Sequence, residues 1–159
     1  MLKDEFIEQY RHTWRILEGV VTDFDDESWL HTGRGAMTPA RVAVHILQGV
    51  KYYIEDPATV IFASGKSFEG DWKTVKEEEL PSQDDILTCM NELEAKTEKW
   101  LLEMDYDSEN SSFPWAGKTK LGAVIFLLRH NVYHIGEVCS LLNESKNGEA
   151  EDNWIKAFS

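Results

Sequence analysis

Long apolar runs are missing from this 159-residue sequence, and none reaches the ~18 residues of a membrane span. Cysteine is scarce too. Cys89 and Cys139 are the only two, too few and too far apart for a disulfide framework or a Cys-x-x-Cys metal site. Positive charge is in short supply: 16 Lys and Arg face 29 Asp and Glu, for a net charge of −13. That balance argues against nucleic acid, whose phosphates need clustered Lys and Arg, and against an anionic membrane surface. The opening Met1-Leu2-Lys3-Asp4-Glu5 lacks the basic-then-apolar layout of a secretory signal. A cytoplasmic protein with reduced thiols is expected. Length favours one domain over residues 1–159, and 42% apolar residues suffice for one sizeable core.

What is present reads as helix. Phe6, Ile7, Tyr10, Trp14, Leu17 and Val21 recur at three- and four-residue steps, predicting a first helix over about Asp4 to Val21. Thr38-Pro39 supplies a cap and a first-turn proline for a second helix, which runs to just before Pro57. Ser82 with Asp84 and Asp85 opens a third, whose seam is Ile86, Met90, Leu93, Thr97, Trp100, Leu101 and Met104. A fourth covers about Thr119 to Asn143. All four prolines fall outside these interiors. The expected fold is all-α, a four-helix bundle. The connection from Asp56 to Pro81, about 26 residues, exceeds the usual 2–8 between bundle neighbours. A short helix near Pro57 to Phe62 is expected there, then a crossover that takes the third helix away from the second. Trp154, Ile155 and Phe158 are expected to pin the chain end onto the bundle.

The fourth helix carries the chemistry. His130 and His134 lie four residues apart, one turn above the other, so both imidazoles can reach one ion. Glu137 follows on nearly the same face, as an acceptor behind a ligand, an occasional ligand, or a plain surface carboxylate. Leu121, Val124, Ile125, Leu128, Val132, Ile135 and Leu142 form an apolar stripe away from the histidines, and further apolar residues flank them. Burial on both sides is the expectation. His45, at the edge of the second helix's stripe, offers a third imidazole. Three imidazoles and an open position describe a catalytic zinc-type site. Tyr52, Trp72 and Trp115 are candidate substrate walls, with core packing as the ordinary alternative. His12 is expected to be solvated, His31 to sit on a surface loop, and Cys139 to lie in the core.

Trp29, the run Thr38-Pro39-Ala40-Arg41-Val42-Ala43-Val44-His45-Ile46-Leu47, and His130-Asn131-Val132-Tyr133-His134-Ile135-Gly136-Glu137 resemble, in order and spacing, the DinB-like (YfiT-like) family of four-helix metal proteins. The likeness extends from the first helix to about Asn143. It implies that His45, His130 and His134 bind one divalent metal ion, and that the chain forms a homodimer. It implies no contact with DNA. Nickel, zinc and iron all accept imidazoles. Some members of the family are thiol-dependent transferases or isomerases. The expected function is therefore a metal-dependent thiol S-transferase that joins a small-molecule thiol to a small electrophile. The alternatives are a metal-dependent hydrolase, in which Glu137 assists proton transfer, and a non-enzymatic metal or small-ligand binding protein of a stress response.

Overall fold

The computed structural model describes residues 1–55 and 59–158. Those residues are mostly helical. In chain order they form α1 (Leu2–Asp23), α2 (Asp26–His31), α3 (Pro39–Ile54), α4 (Gln83–Glu103), α5 (Lys120–Ser145) and α6 (Asn153–Lys156), with a two-stranded antiparallel ladder of β1 (Val60–Ile61) and β2 (Ser67–Phe68). Among the described residues, no helix is long and apolar enough to cross a membrane.

Helices α1, α3 and α4 bury the faces their periodicity marks. In α1 these are Ile7, Tyr10, Trp14, Leu17 and Val21, joined by Ile16 and Val20. Ser82 caps α4 through a reciprocal pair of hydrogen bonds with Asp85, which satisfies donors that the first helical turn leaves free. Cys89 joins the α4 seam as a buried residue. Thr38 holds the cap position of α3, yet its hydroxyl makes no cap bond and is buried without a partner.

Helix directions follow from pairs of contacts. α4 runs antiparallel to α1: Lys3 Nζ donates to the Leu102 carbonyl at 2.6 Å, Arg11 pairs with Glu98 at 2.6 Å, and Arg15 pairs with Glu94. α5 runs with α1, since the Tyr10 hydroxyl donates to the Val124 carbonyl and Gly19 meets Asn153 beyond the far end of α5. α3 opposes α5, with His45 beside His134, Gly49 beside His130 and Tyr53 near Phe126. α3 and α4 therefore point the same way, and they pack side by side. The expectation that the third long helix leaves the second is overturned. The long connection returns the chain so that α4 can lie next to α3 in parallel.

That connection also differs in local structure. Val60 and Ile61 are strand, paired with Phe68 and Ser67, where a short helix was expected. The reason is alternation: Val60 and Phe68 are buried and their neighbours Ile61 and Ser67 are not, so the hairpin closes one apolar face. Pro57, within that predicted helix, lies outside the described residues.

Two more expectations change. α5 is not buried on both sides, for Ile125 and Val132 are 43% and 40% exposed. Its core stripe is instead Ala123, Val124, Leu127, Asn131, Ile135, Val138, Leu141 and Leu142. The chain end is held by polar and aromatic contacts together: Asn153 is buried and donates to Asp23 at 3.0 Å, and Trp154 and Phe158, though at least half exposed, pack on His12, while Ile155 is 63% exposed. His12 is not a solvated residue. Its Nε2 is buried without a partner and its ring lies 3.8 Å from that of Phe158.

Candidate metal centre

Three imidazoles meet where α3 crosses α5. His45 Nε2 stands 3.1 Å from His134 Nε2 and 3.2 Å from His130 Nε2. The i,i+4 step sets the two α5 rings edge to face, with centroids 4.6 Å apart, and His45 enters from the antiparallel neighbour to close the triangle. The three residues lie close enough to hold one metal ion. An ion ~2.0–2.1 Å from each ring nitrogen sets those nitrogens about 2.9 Å apart at right angles and about 3.4 Å apart in a tetrahedron. The two separations fall between those limits.

Protonation gives a second test of fit. His134 Nδ1 lies 2.5 Å from Glu137 Oε1, so this nitrogen donates and Nε2 presents a lone pair to the triangle. A single proton on His45 Nε2 can serve one of its two neighbours, whereas one cation serves all three nitrogens. Burial, then the adjacent imidazoles His134 and His130, pushes His45 down to about 4. Burial also lowers His130, followed by the effect of His134. Both shifts favour the neutral ring that metal ligation demands. The residues fit an imidazole-bound divalent ion.

The surroundings hold this geometry. Gly49, one turn beyond His45, lets the His130 ring lie against the α3 backbone; a Cβ there would stand 2.8 Å from Cε1. Trp72 stacks on His45, with centroids 4.6 Å apart and planes 24° apart. Arg41, one turn before His45, donates to the carbonyls of Trp72 at 3.2 Å and Val75 at 2.6 Å, tying that turn to α3. Sequence reasoning gave no role to Arg41 or Gly49. A glycine inside a helix is itself a signal, being worse there than alanine by about 1 kcal/mol.

A groove of 440 Å³ opens from His45 and His130, lined also by Gln48, Gly49, Tyr52, Tyr53, Thr59 and Glu69. Of the candidate walls, Tyr52 lines the groove, Trp72 covers His45, and Trp115 sits at the outer edge. The Trp115 indole donates to the Tyr53 hydroxyl at 2.9 Å, and its ring lies 6.4 Å from that of Tyr52. A separate hollow of 480 Å³ lies between α1, α5 and the segment around α6, on the other flank of α5 from the imidazoles. Cys139, half-buried against the core, lines it, and burial pushes that thiol up to about 11. Cys89 is raised to about 11 by the same cause. Neither is a thiolate near neutral pH, so neither is a nucleophile in waiting. His31 is exposed as expected but ends α2 rather than lying on a loop, and it pairs at 2.6 Å with Glu77.

Compared with protein families, curated proteins and solved structures, the chain shows no match.

Proposed function

We propose that this chain is a DinB-like metalloenzyme, a four-helix bundle with a crossover between α3 and α4, that joins a small-molecule thiol to a small electrophile. The observation that carries the reading is the convergence of three Nε2 atoms, backed by Glu137 and open to a groove. His45, His130 and His134 hold one divalent ion, which we take to be nickel, zinc or iron. When bound, the ion supplies a Lewis-acidic position that favours the thiolate form of a thiol near neutral pH. Glu137 keeps His134 in the ligating tautomer and fixes its ring. Trp72 restrains His45 from the opposite face. Tyr52 and Trp115 border the space in which the electrophile approaches. In the transfer a sulfur–carbon bond forms as the bond from that carbon to its leaving group breaks, and the thiol proton passes to solvent.

The test uses protein purified without a histidine tag, loaded with each metal and incubated with monochlorobimane, with and without bacillithiol, cysteine or glutathione. Conjugation is expected only with metal and a thiol together, with loss of chloride. Turnover of an ester or amide in water alone, with no thiol conjugated above background, replaces the transferase with a hydrolase. Saturable binding without product leaves a binding protein. The homodimer is proposed from the family resemblance alone. Sedimentation at 18.3 kDa alone would exclude it.

A further inference from the structure

The groove beside the triad has a composition that selects among electrophiles. His45, Gln48, Gly49 and Tyr52 follow one another at three- and four-residue steps, so one face of α3 forms the floor. Gly49 keeps that floor low between the imidazoles and the aromatic end. There Tyr52 packs with Tyr53, Phe113 and Trp115, yet Tyr52 and Trp115 stay 40% and 56% exposed. Their rings lie 6.4 Å apart and within 28° of parallel, and the exposed part of Tyr52 gives the groove an aromatic wall. Glu69 is the carboxylate of the lining, and among the described residues no Lys or Arg lines the groove. Gln48 Nε2 donates to the Gly70 carbonyl at 3.2 Å, which holds the segment carrying Glu69 against α3. Lys73 bears on His45 from outside the lining, its ammonium 5.5 Å over the Trp72 ring, and Asp71 opposes its charge there.

We infer that this groove seats the electrophile and takes a flat apolar group that carries no negative charge. The inference rests on the metal-centre reading, because only the triad gives a ligand in the groove a reaction. A planar group packs against Tyr52, the exposed aromatic of the lining. Positive charge adds attraction to the ring faces and to Glu69, whereas an anion meets a carboxylate with no compensating cation in the lining.

The experiment measures dissociation constants for benzyltrimethylammonium, benzyl alcohol and benzoate by NMR titration. The metal-free protein is used, so that benzoate has no ion to ligate. The expected order is cation tightest, alcohol next and benzoate weakest, each step about two- to fivefold. Glu69→Gln should abolish most of the cation's advantage over the alcohol, and Tyr52→Ala should weaken both. Both positions are exposed, so neither change threatens the fold. Benzoate binding as tightly as the cation, or binding indifferent to Tyr52→Ala, overturns the inference. Zinc uptake by the same preparations is measured separately. Failure to take up zinc, with the probe order intact, removes the metal reading and leaves the groove's selectivity standing.

Discussion

Gly49 and His130 lie so close across the α3–α5 cleft that a Cβ on Gly49 would stand 2.8 Å from Cε1 and 3.2 Å from Nδ1 of the imidazole. Two effects oppose each other in Gly49→Ala. The helix gains up to about 1 kcal/mol from the better helix former. The His130 ring must then give way, and the three nitrogens lose their common focus. Helicity and melting temperature should hold or rise while zinc affinity falls on the order of tenfold or more, comparable to losing a group that orients a ligand. Competition against a coloured chelator measures the affinity. An unchanged affinity would show that the ring has room to turn.

Glu137 acts through His134. The 2.5 Å contact to Nδ1 fixes both ring and tautomer, so truncation should loosen the ligand without removing it. Glu137→Ala should weaken metal binding about 10–100-fold with little change in the circular dichroism spectrum. Glu137→Gln keeps an acceptor oxygen and should fall between the two. Should the Gln and Ala variants bind alike, orientation by this hydrogen bond is not what Glu137 contributes.

The long helices and the imidazole pair were legible in the sequence because both are local facts. A stripe such as Ile7, Tyr10, Trp14 and Leu17 needs only the helical repeat, and His130 and His134 share a face by their spacing alone. His45 needed one further step, that its helix packs against theirs. Gly49, Arg41 and Glu69 stayed hidden because their roles depend on inter-helix distances that no periodicity records. Ile125 and Val132 were misjudged for a related reason, since apolar character does not say whether a neighbour covers it. Strands of two residues, such as Val60–Ile61, are shorter than any alternation that a pattern can register.

Acid should destabilise the metal-free protein through His45 and His130. His45 is held down to about 4 by burial and its imidazole neighbours, against about 6.5 in an unfolded chain. Between those values the unfolded chain takes up a proton that the folded chain refuses, so falling pH favours unfolding. His130 shifts in the same direction. This contribution is intact above about pH 6.5, and it drains away as pH falls towards about 4. Urea midpoints of chelator-treated protein at about pH 7.5, 5.5 and 4.5 follow the loss. His45→Gln should lose less over that range than the parent, because other titrating groups are common to both. Parallel slopes would place the acid sensitivity elsewhere.

Asp23 ties down the chain end independently of the metal. Its Oδ2 accepts from Asn153 Nδ2 at 3.0 Å and from Lys156 Nζ at 3.1 Å. Asn153 is buried, so Asp23→Ala leaves a donor without its partner, at about 1–3 kcal/mol. Ile155 is 63% exposed, and its truncation should matter far less. Hydrogen exchange over α6 should therefore accelerate markedly in Asp23→Ala and only slightly in Ile155→Ala. The hollow that α6 helps to line should open in the first variant and bind a hydrophobic dye. Zinc affinity should be unchanged in both, since the hollow and the imidazoles occupy different flanks of α5. Faster exchange in Ile155→Ala than in Asp23→Ala would mean that apolar packing, not the Asp23 contacts, holds the end in place.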